Sequence, residues 1–195
     1  MRFGARKKKK EVEEVKINKY NANNAILTLA TGSLVKVTKE QFKKFKETSY
    51  DETLHVLFDS YLEGRYYLDE LLPLIKERSI IVEMQPKFTL LDKFEKEGIK
   101  HQAITYTPDF KVTYFTGKTM LIDVKGAEDQ KFPLKRKMFD AKFPEFPPLV
   151  VMKYAKKFGG WITIEEYDKQ KRAENKQKKL MEAEWNGQPR GEGPK

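Results

Sequence analysis

Hydrophobic and polar positions alternate most regularly between Asp109 and Lys125. The run Asp109-Phe110-Lys111-Val112-Thr113-Tyr114-Phe115 has the branched and aromatic content of a strand. Thr116-Gly117-Lys118 supplies a turn, and Met120-Leu121-Ile122-Asp123-Val124-Lys125 reads as the returning strand. Period two puts Met120, Ile122 and Val124 on one face and Leu121, Asp123 and Lys125 on the other. A hairpin brings the start of its first strand beside the end of its second, so Asp109 is expected to meet Asp123.

The rest of the chain organises around that hairpin. From Ser60 to Arg78, Leu62, Tyr66, Leu68, Leu71, Leu72 and Ile75 recur at three-to-four spacing, predicting an amphipathic helix interrupted near Pro73. Ile80 to Leu90 alternates like one strand, Asp92 to Lys100 is a charged excursion, and Gln102 to Tyr106 leads into the hairpin. After the polar bend Ala127-Glu128-Asp129-Gln130 comes a helix from about Pro133 to Lys142. Leu149 to Tyr154 reads as a buried strand, and Trp161 to Ile164 as a short edge strand. Upstream, Ala25–Leu29 and Leu34–Thr38 flank Thr31-Gly32-Ser33 as a small hairpin, followed by a short basic helix over Lys39–Glu47.

The expected fold is therefore α/β: a helix, a three-stranded antiparallel meander, a second helix and a further strand, in the order αβββαβ, with a mixed central sheet flanked by helices. The expected division is a basic disordered arm (1–24), a small appendage (25–55), the core (56–164), a charged helix without a clear apolar stripe (165–185) and a disordered tail rich in Gly and Pro (186–195).

Composition narrows the function. The 195 residues carry a formal charge of +10, a balance that favours phosphate polymers and salt-sensitive association. Much of the excess is local: Arg2, Arg6 and Lys7–Lys10 make an arm able to touch a DNA backbone, or a charged tail with no partner. The absence of cysteine excludes disulfide scaffolds, cysteine zinc sites and thiol catalysis, and two scattered histidines give no basis for a zinc site or a serine triad. No apolar run approaches a membrane span and no signal-peptide core is present, so a cytoplasmic, reducing compartment is the expectation.

Two acids and a lysine at one hairpin end suit hydrolysis at phosphorus. Mg²⁺ prefers carboxylate oxygens and keeps positions for water and substrate phosphate; a nearby lysine can orient the attacking water and offset developing charge. The other reading of Asp109, Asp123 and Lys125 is a surface hairpin with a cross-strand acid–lysine pair. Ser60-Tyr61-Leu62-Glu63 is also a capping box in which Glu63 would bond back to the Ser60 amide.

Pro108-Asp109 followed by Asp123-Val124-Lys125 resembles the PD-(D/E)xK nuclease signature. With Phe58-Asp59-Ser60-Tyr61-Leu62-Glu63-Gly64-Arg65-Tyr66-Tyr67, Met84-Gln85-Pro86-Lys87-Phe88 and Phe132-Pro133-Leu134-Lys135-Arg136-Lys137-Met138-Phe139, the chain is similar over about residues 56–155 to a family of small phage-encoded endonucleases. That family was first catalogued as a domain of unknown function and is regarded as containing Holliday-junction resolvases. The resemblance implies a restriction-endonuclease-like core and Mg²⁺-dependent DNA cleavage leaving 5′-phosphate and 3′-hydroxyl ends, with Mn²⁺ able to substitute and no nucleotide cofactor. Glu63, matching the acid of the first helix, would join Asp109, Asp123 and the Val124 carbonyl as metal ligands, and Lys125 would orient water.

Gln85 would contact substrate or a metal-bound water, or is simply a polar residue on a sheet edge. Lys87, Lys135 and Arg136 are expected DNA contacts, the last two alternatively a solvated basic face. The implied substrate is branched DNA, a Holliday junction or a fork, cut by a symmetric homodimer in the host-cell cytoplasm if the gene is a phage's. A sequence-specific or end-processing nuclease of the same fold, or a catalytically silent DNA-binding module, are the alternatives.

Overall fold

The computed structural model describes residues 23–126 and 132–187, with side chains as far as Glu182. The expected basic arm and tail lie outside these residues except at their inner ends, as do the polar bend at 127–130 and Lys131.

Strands β1 (Asn24–Thr28) and β2 (Ser33–Val37) form the expected hairpin, and α1 (Lys39–Thr48) follows behind a Thr38–Gln41 capping box. The sequence reading assigns no strand to β3 (His55–Phe58), which pairs with the other side of β1 to give the order β2-β1-β3. Ala25 and Leu27 are fully buried and pack into the same apolar cluster as Phe58, Tyr66 and Tyr67. The 25–55 segment, expected as an appendage, thus closes one side of the core.

The first core helix runs as α2 (Tyr61–Tyr66), a π turn over Tyr67–Leu71, and α3 (Leu72–Lys76). Pro73 has no N–H for the Asp69 carbonyl, and the widened turn just before it is the form the expected interruption takes. A Cβ on Gly64 would stand 2.8 Å from Leu34 Cδ1 and 2.9 Å from Phe58 Cδ2. Only glycine lets α2 lie this close to the small sheet.

The single strand expected over Ile80–Leu90 is two. Strand β4 (Ile80–Met84) ends where Gln85 takes a left-handed conformation, φ 50°, ahead of buried Pro86. Strand β5 (Phe88–Leu91) then turns away from the central sheet. The charged excursion is itself a hairpin of β6 (Phe94–Lys96) and β7 (Ile99–His101), after which β8 (Ile104–Tyr106) pairs with β5. The sequence pattern misses both features because a positive φ at glutamine leaves no compositional mark and three-residue exposed strands have no buried face.

Strands β9 (Phe110–Tyr114) and β10 (Thr119–Val124) are the predicted hairpin, helix α4 spans Phe132–Lys142, and β11 (Val150–Ala155) and β12 (Gly160–Thr163) complete the sheet. Its order is β12-β11-β10-β9-β4, with β10 and β11 parallel and every other pair antiparallel. Counting α2 and α3 as one helix, α–β4–β9–β10–α4–β11 is the αβββαβ order, and the protein is an α/β fold with a mixed central sheet between helices.

The two faces bury separate cores. Phe110, Val112, Ile122 and Val124 face α2 and the small sheet; Leu121 and Val151 face α4, with Phe139, Tyr106, Leu149 and Ile164 around them. Helix α5 (Ile164–Gly187) starts against that second core. Among the described residues no helix is long and apolar enough to cross a membrane.

Candidate active site

Pairing between β9 and β10 ends at Phe110–Ile122, so the next residues, Asp109 and Asp123, stand opposite each other as period and register demand. Past that end the Val124 N–H has lost its strand partner. It donates instead to Asp109 Oδ2 at 2.6 Å. In an extended strand a residue's N–H and C=O point the same way, so the Val124 carbonyl also faces Asp109. On the other side, the Gln85 N–H donates to the Asp109 carbonyl at 2.9 Å, and the Lys125 N–H to the Met152 carbonyl at 2.9 Å. Backbone bonds from both neighbouring strands thus hold the two acids in place.

Among the described residues Asp123 is the one charged residue in the buried core, 1 % exposed. Leu121 and Asp123 point to the α4 face as alternation requires. The Tyr106 hydroxyl donates to Asp123 Oδ2 at 2.5 Å, and Lys125 Nζ lies 2.9 Å from Oδ1. That ion pair is off the hydrogen-bonding direction, and Oδ1 has no hydrogen-bond partner. A buried carboxylate oxygen without an aligned donor is costly unless something else completes it. Lys125 also lies over the Phe132 ring, which holds its stem against the start of α4.

Glu63 arrives from the opposite layer on the first turn of α2. Ser60 caps that helix by accepting from the Glu63 N–H, and its hydroxyl donates to Glu63 Oε1 at 2.7 Å. The carboxylate therefore bonds the serine hydroxyl, where the capping-box reading puts it on the Ser60 amide. Arg65 stacks on Tyr154 and pairs with Asp69, which also accepts from the Trp161 indole, so α2 is fixed to β11 and β12.

The acids feel one another. Burial, then the charges of Glu63 and Asp123, push Asp109 up to about 9 against the opposing Val124 N–H. Burial pushes Glu63 up to about 7, helped by Asp59 and Asp123 and opposed by the Ser60 hydroxyl and Lys125. Tyr106 is raised far above the ordinary phenol range by burial and by Asp123, so its hydroxyl stays a donor. Among the described residues no three acidic or histidine side chains stand as a closed metal-binding group. The carboxylates are instead engaged with Ser60, Val124, Tyr106 and Lys125.

A pH dependence follows. Both folded-state values lie above the ordinary 4.5 and 3.8, so their contribution to stability is full below about pH 4 and is lost as pH rises through about 7 and 9. In EDTA the melting temperature should fall by several degrees between pH 5 and 9. The Glu63→Gln, Asp109→Asn double variant should lose less over the same range. Parallel profiles for the two proteins would contradict the raised values of these two buried acids.

Glu63, Asp109, Asp123 and Lys125 are brought together, with Val124 between the last two. Gln85 sits on the rim, its side-chain amide donating to Asp59 Oδ2 at 3.0 Å, and exposed Lys87 follows in the same turn. Lys135 donates to the Thr105 carbonyl at 3.2 Å, beside Tyr106. Arg136 is committed internally: one guanidinium nitrogen donates to the Leu149 carbonyl at 3.0 Å and the other pairs with Glu165 at 2.6 Å. Its role in the structure is to tie α4 to β11 and α5. Sequence reasoning gives no role to Tyr106 or Asp59. The only available signal is an aromatic residue with a hydroxyl two positions before Pro108-Asp109.

No curated protein and no solved structure matches the chain. Residues 42–159, which contain every member of this cluster, match the model of the family described as "Protein of unknown function (DUF1064)", and with more than half its length matched the chain belongs to that family.

Proposed function

We propose that this protein is a metal-dependent endonuclease of the PD-(D/E)xK kind, hydrolysing phosphodiester bonds in branched DNA as a homodimer. The observation that carries the reading is the convergence of Asp109, Asp123 and Lys125 at one hairpin end, with Glu63 facing them across the layer. A basic DNA-binding surface alone gains nothing from carboxylates gathered where phosphate would lie.

The residues present fit Mg²⁺ or Mn²⁺ by type, since all the side-chain donors are carboxylate oxygens, and Asp123 Oδ1 is a buried oxygen with no aligned hydrogen bond, only the Lys125 ammonium beside it. Glu63, Asp109, Asp123 and the Val124 carbonyl would hold the ion. A bound ion supplies charge neutralisation at phosphate and lowers the pKa of water.

The chain's own contribution is placement. Tyr106 holds Asp123 Oδ2 and leaves Oδ1 to Lys125. Lys125 stands beside Oδ1, where it can orient a water towards phosphorus and offset negative charge as the P–O3′ bond breaks. The products would carry a 5′-phosphate and a 3′-hydroxyl. Among the described residues, exposed Lys87 and partly exposed Lys135 are lysines available to a phosphate backbone.

The test is cleavage of end-labelled four-way junction, fork, linear duplex and single-stranded DNA with Mg²⁺ and with EDTA. Paired symmetric nicks in the junction support the proposal in full. Equal cutting of all substrates keeps the nuclease and removes its structural selectivity. Binding without cutting in any metal would favour the silent module.

A further inference from the structure

Helix α5 is 24 residues long, and its anchoring contacts fall in the first half. Ile164 joins the second core, Lys153 lies over the Tyr167 ring at 4.3 Å, and Lys157 pairs with Glu174. From Asn175 to Glu182 every side chain is exposed. Packing therefore does not decide which residues this outer half carries.

What it carries is a row of cations. At 3.6 residues per turn Arg172, Lys176 and Lys179 share one side of α5, with Asn175 beside them, and Glu174 points the opposite way. The row is about 10 Å long. Acids flank it only at its ends, Asp168 a turn before Arg172 and Glu182 a turn after Lys179. Among the described residues the ion pairs of α5 use other cations: Glu165 takes Arg136, Glu166 takes Lys169 and Glu174 takes Lys157. Like charges three and four residues apart weaken an isolated helix. The helix dipole favours cations only in the last turn, and Arg172 stands about four turns from the end. The row is thus better placed for an anion outside the helix than for the helix itself.

The topology sets this row at the acid end of the sheet. Strands β10 and β11 run parallel, with Asp123 beside Val151 and Val124 beside Met152. Strand β11 continues in the same direction to Ala155, and Lys157 follows. The contacts of Tyr167 with Lys153 and of Glu174 with Lys157 make α5 run the same way, so by Glu174 it has passed the level of Asp123. It also starts on the α4 face, the face to which Asp123 points.

We propose that Arg172, Lys176 and Lys179, with Asn175, hold the phosphate backbone of a DNA duplex, the arm of the substrate that runs past the acid cluster. They lie outside residues 42–159, the segment that the family model matches. The nuclease reading gives the contact its meaning, but its test is independent of that reading. Arginine, lysine and asparagine are donors that phosphate oxygens take, and cations with no acid between them complement a polyanion. An acidic protein fits less well, because stable protein interfaces centre on apolar anchors, and these four residues supply none.

The experiment is metal-free binding, in EDTA, of a labelled blunt duplex across a series of salt concentrations. The full chain is compared with its Arg172→Gln, Lys176→Gln, Lys179→Gln variant. A control, Lys93→Gln, Lys96→Gln, Lys100→Gln, removes as much charge from exposed positions on and beside the β6–β7 hairpin. All six positions are exposed and glutamine keeps the helix propensity of lysine, so both variants should retain the wild-type melting temperature and helical circular dichroism. For the α5 variant the slope of log affinity against log salt should shrink by about 2–3, with at least about a tenfold loss of affinity at moderate salt. Two duplexes of unrelated sequence should lose alike, and the control should change the slope by less than about 1. An unchanged slope in the α5 variant, or an equal change in the control, overturns the proposal. So does an equal loss of binding to poly-L-glutamate, which would make the row a surface for acidic protein. If the wild type binds duplex through the row but cuts no DNA with any metal, the nuclease reading falls and the contact stands.

Discussion

Asp123→Asn is expected to lower DNA cleavage in Mg²⁺ by at least about a thousandfold, the scale on which preorganised groups at a reacting centre act, while leaving DNA affinity in EDTA near its parental value. The substitution keeps shape and removes charge. An asparagine oxygen still accepts from Tyr106, so the buried site keeps its main hydrogen bond. What is lost is the anionic oxygen beside Lys125 that has no aligned donor of its own. Asp109→Asn should act alike, because the Val124 N–H can still be accepted by an amide oxygen. Asp109→Asn should be no less stable at pH 8, since burial already favours the uncharged form of that carboxyl there. Cleavage by either at the parental rate, in a preparation free of host nuclease, would sink the assignment.

Phe139→Ala is expected to cost about 3–5 kcal/mol of stability, a large part of the roughly 5–15 kcal/mol that holds a domain together. Phe139 is fully buried at the centre of the α4 face. Its ring meets Phe88 edge-on at 5.0 Å, Phe143 at 5.1 Å, and Tyr106 at 6.0 Å. The hole left behind is bounded by rings on β5, on β8 and just past the end of α4, which cannot collapse into it without moving whole elements. Urea denaturation should show a lower midpoint with an unchanged slope. A loss below about 1 kcal/mol would mean that the aromatic cluster is not packed as described. Activity should suffer as well, because Tyr106 is both a wall of this cluster and the donor to Asp123.

These two residues mark what a reader of the sequence can and cannot see. The meeting of Asp109 and Asp123 was legible, because strict alternation and a Gly117 turn fix the register of a local hairpin. The order of helix, meander, helix and strand was legible for the same reason: each element has its own periodicity. Phe139 could be placed on the apolar side of α4, but not against Phe88 and Tyr106, which come from distant segments. Tyr106 gave no sign of its role, since its contact with Asp123 exists only after β8 has been carried over the sheet. Arg136 is expected at DNA phosphates beside Lys135, and nothing in the sequence shows that the Leu149 carbonyl and Glu165 take up its guanidinium. Short strands such as β3 escape because four residues paired on one side carry too little pattern.

The distribution of the acids along the chain sets an order of assembly. Asp109, Asp123 and Lys125 belong to one hairpin whose ends meet by local closure, whereas Glu63 joins them only when α2 docks across the layer. Docking therefore brings like charges together, and the apolar contacts of Tyr66, Tyr67 and Leu71 have to outweigh that repulsion. A cation present during folding would favour the docked arrangement over the undocked one. Magnesium should then accelerate refolding only if α2 is already docked in the transition state, and otherwise slow unfolding alone.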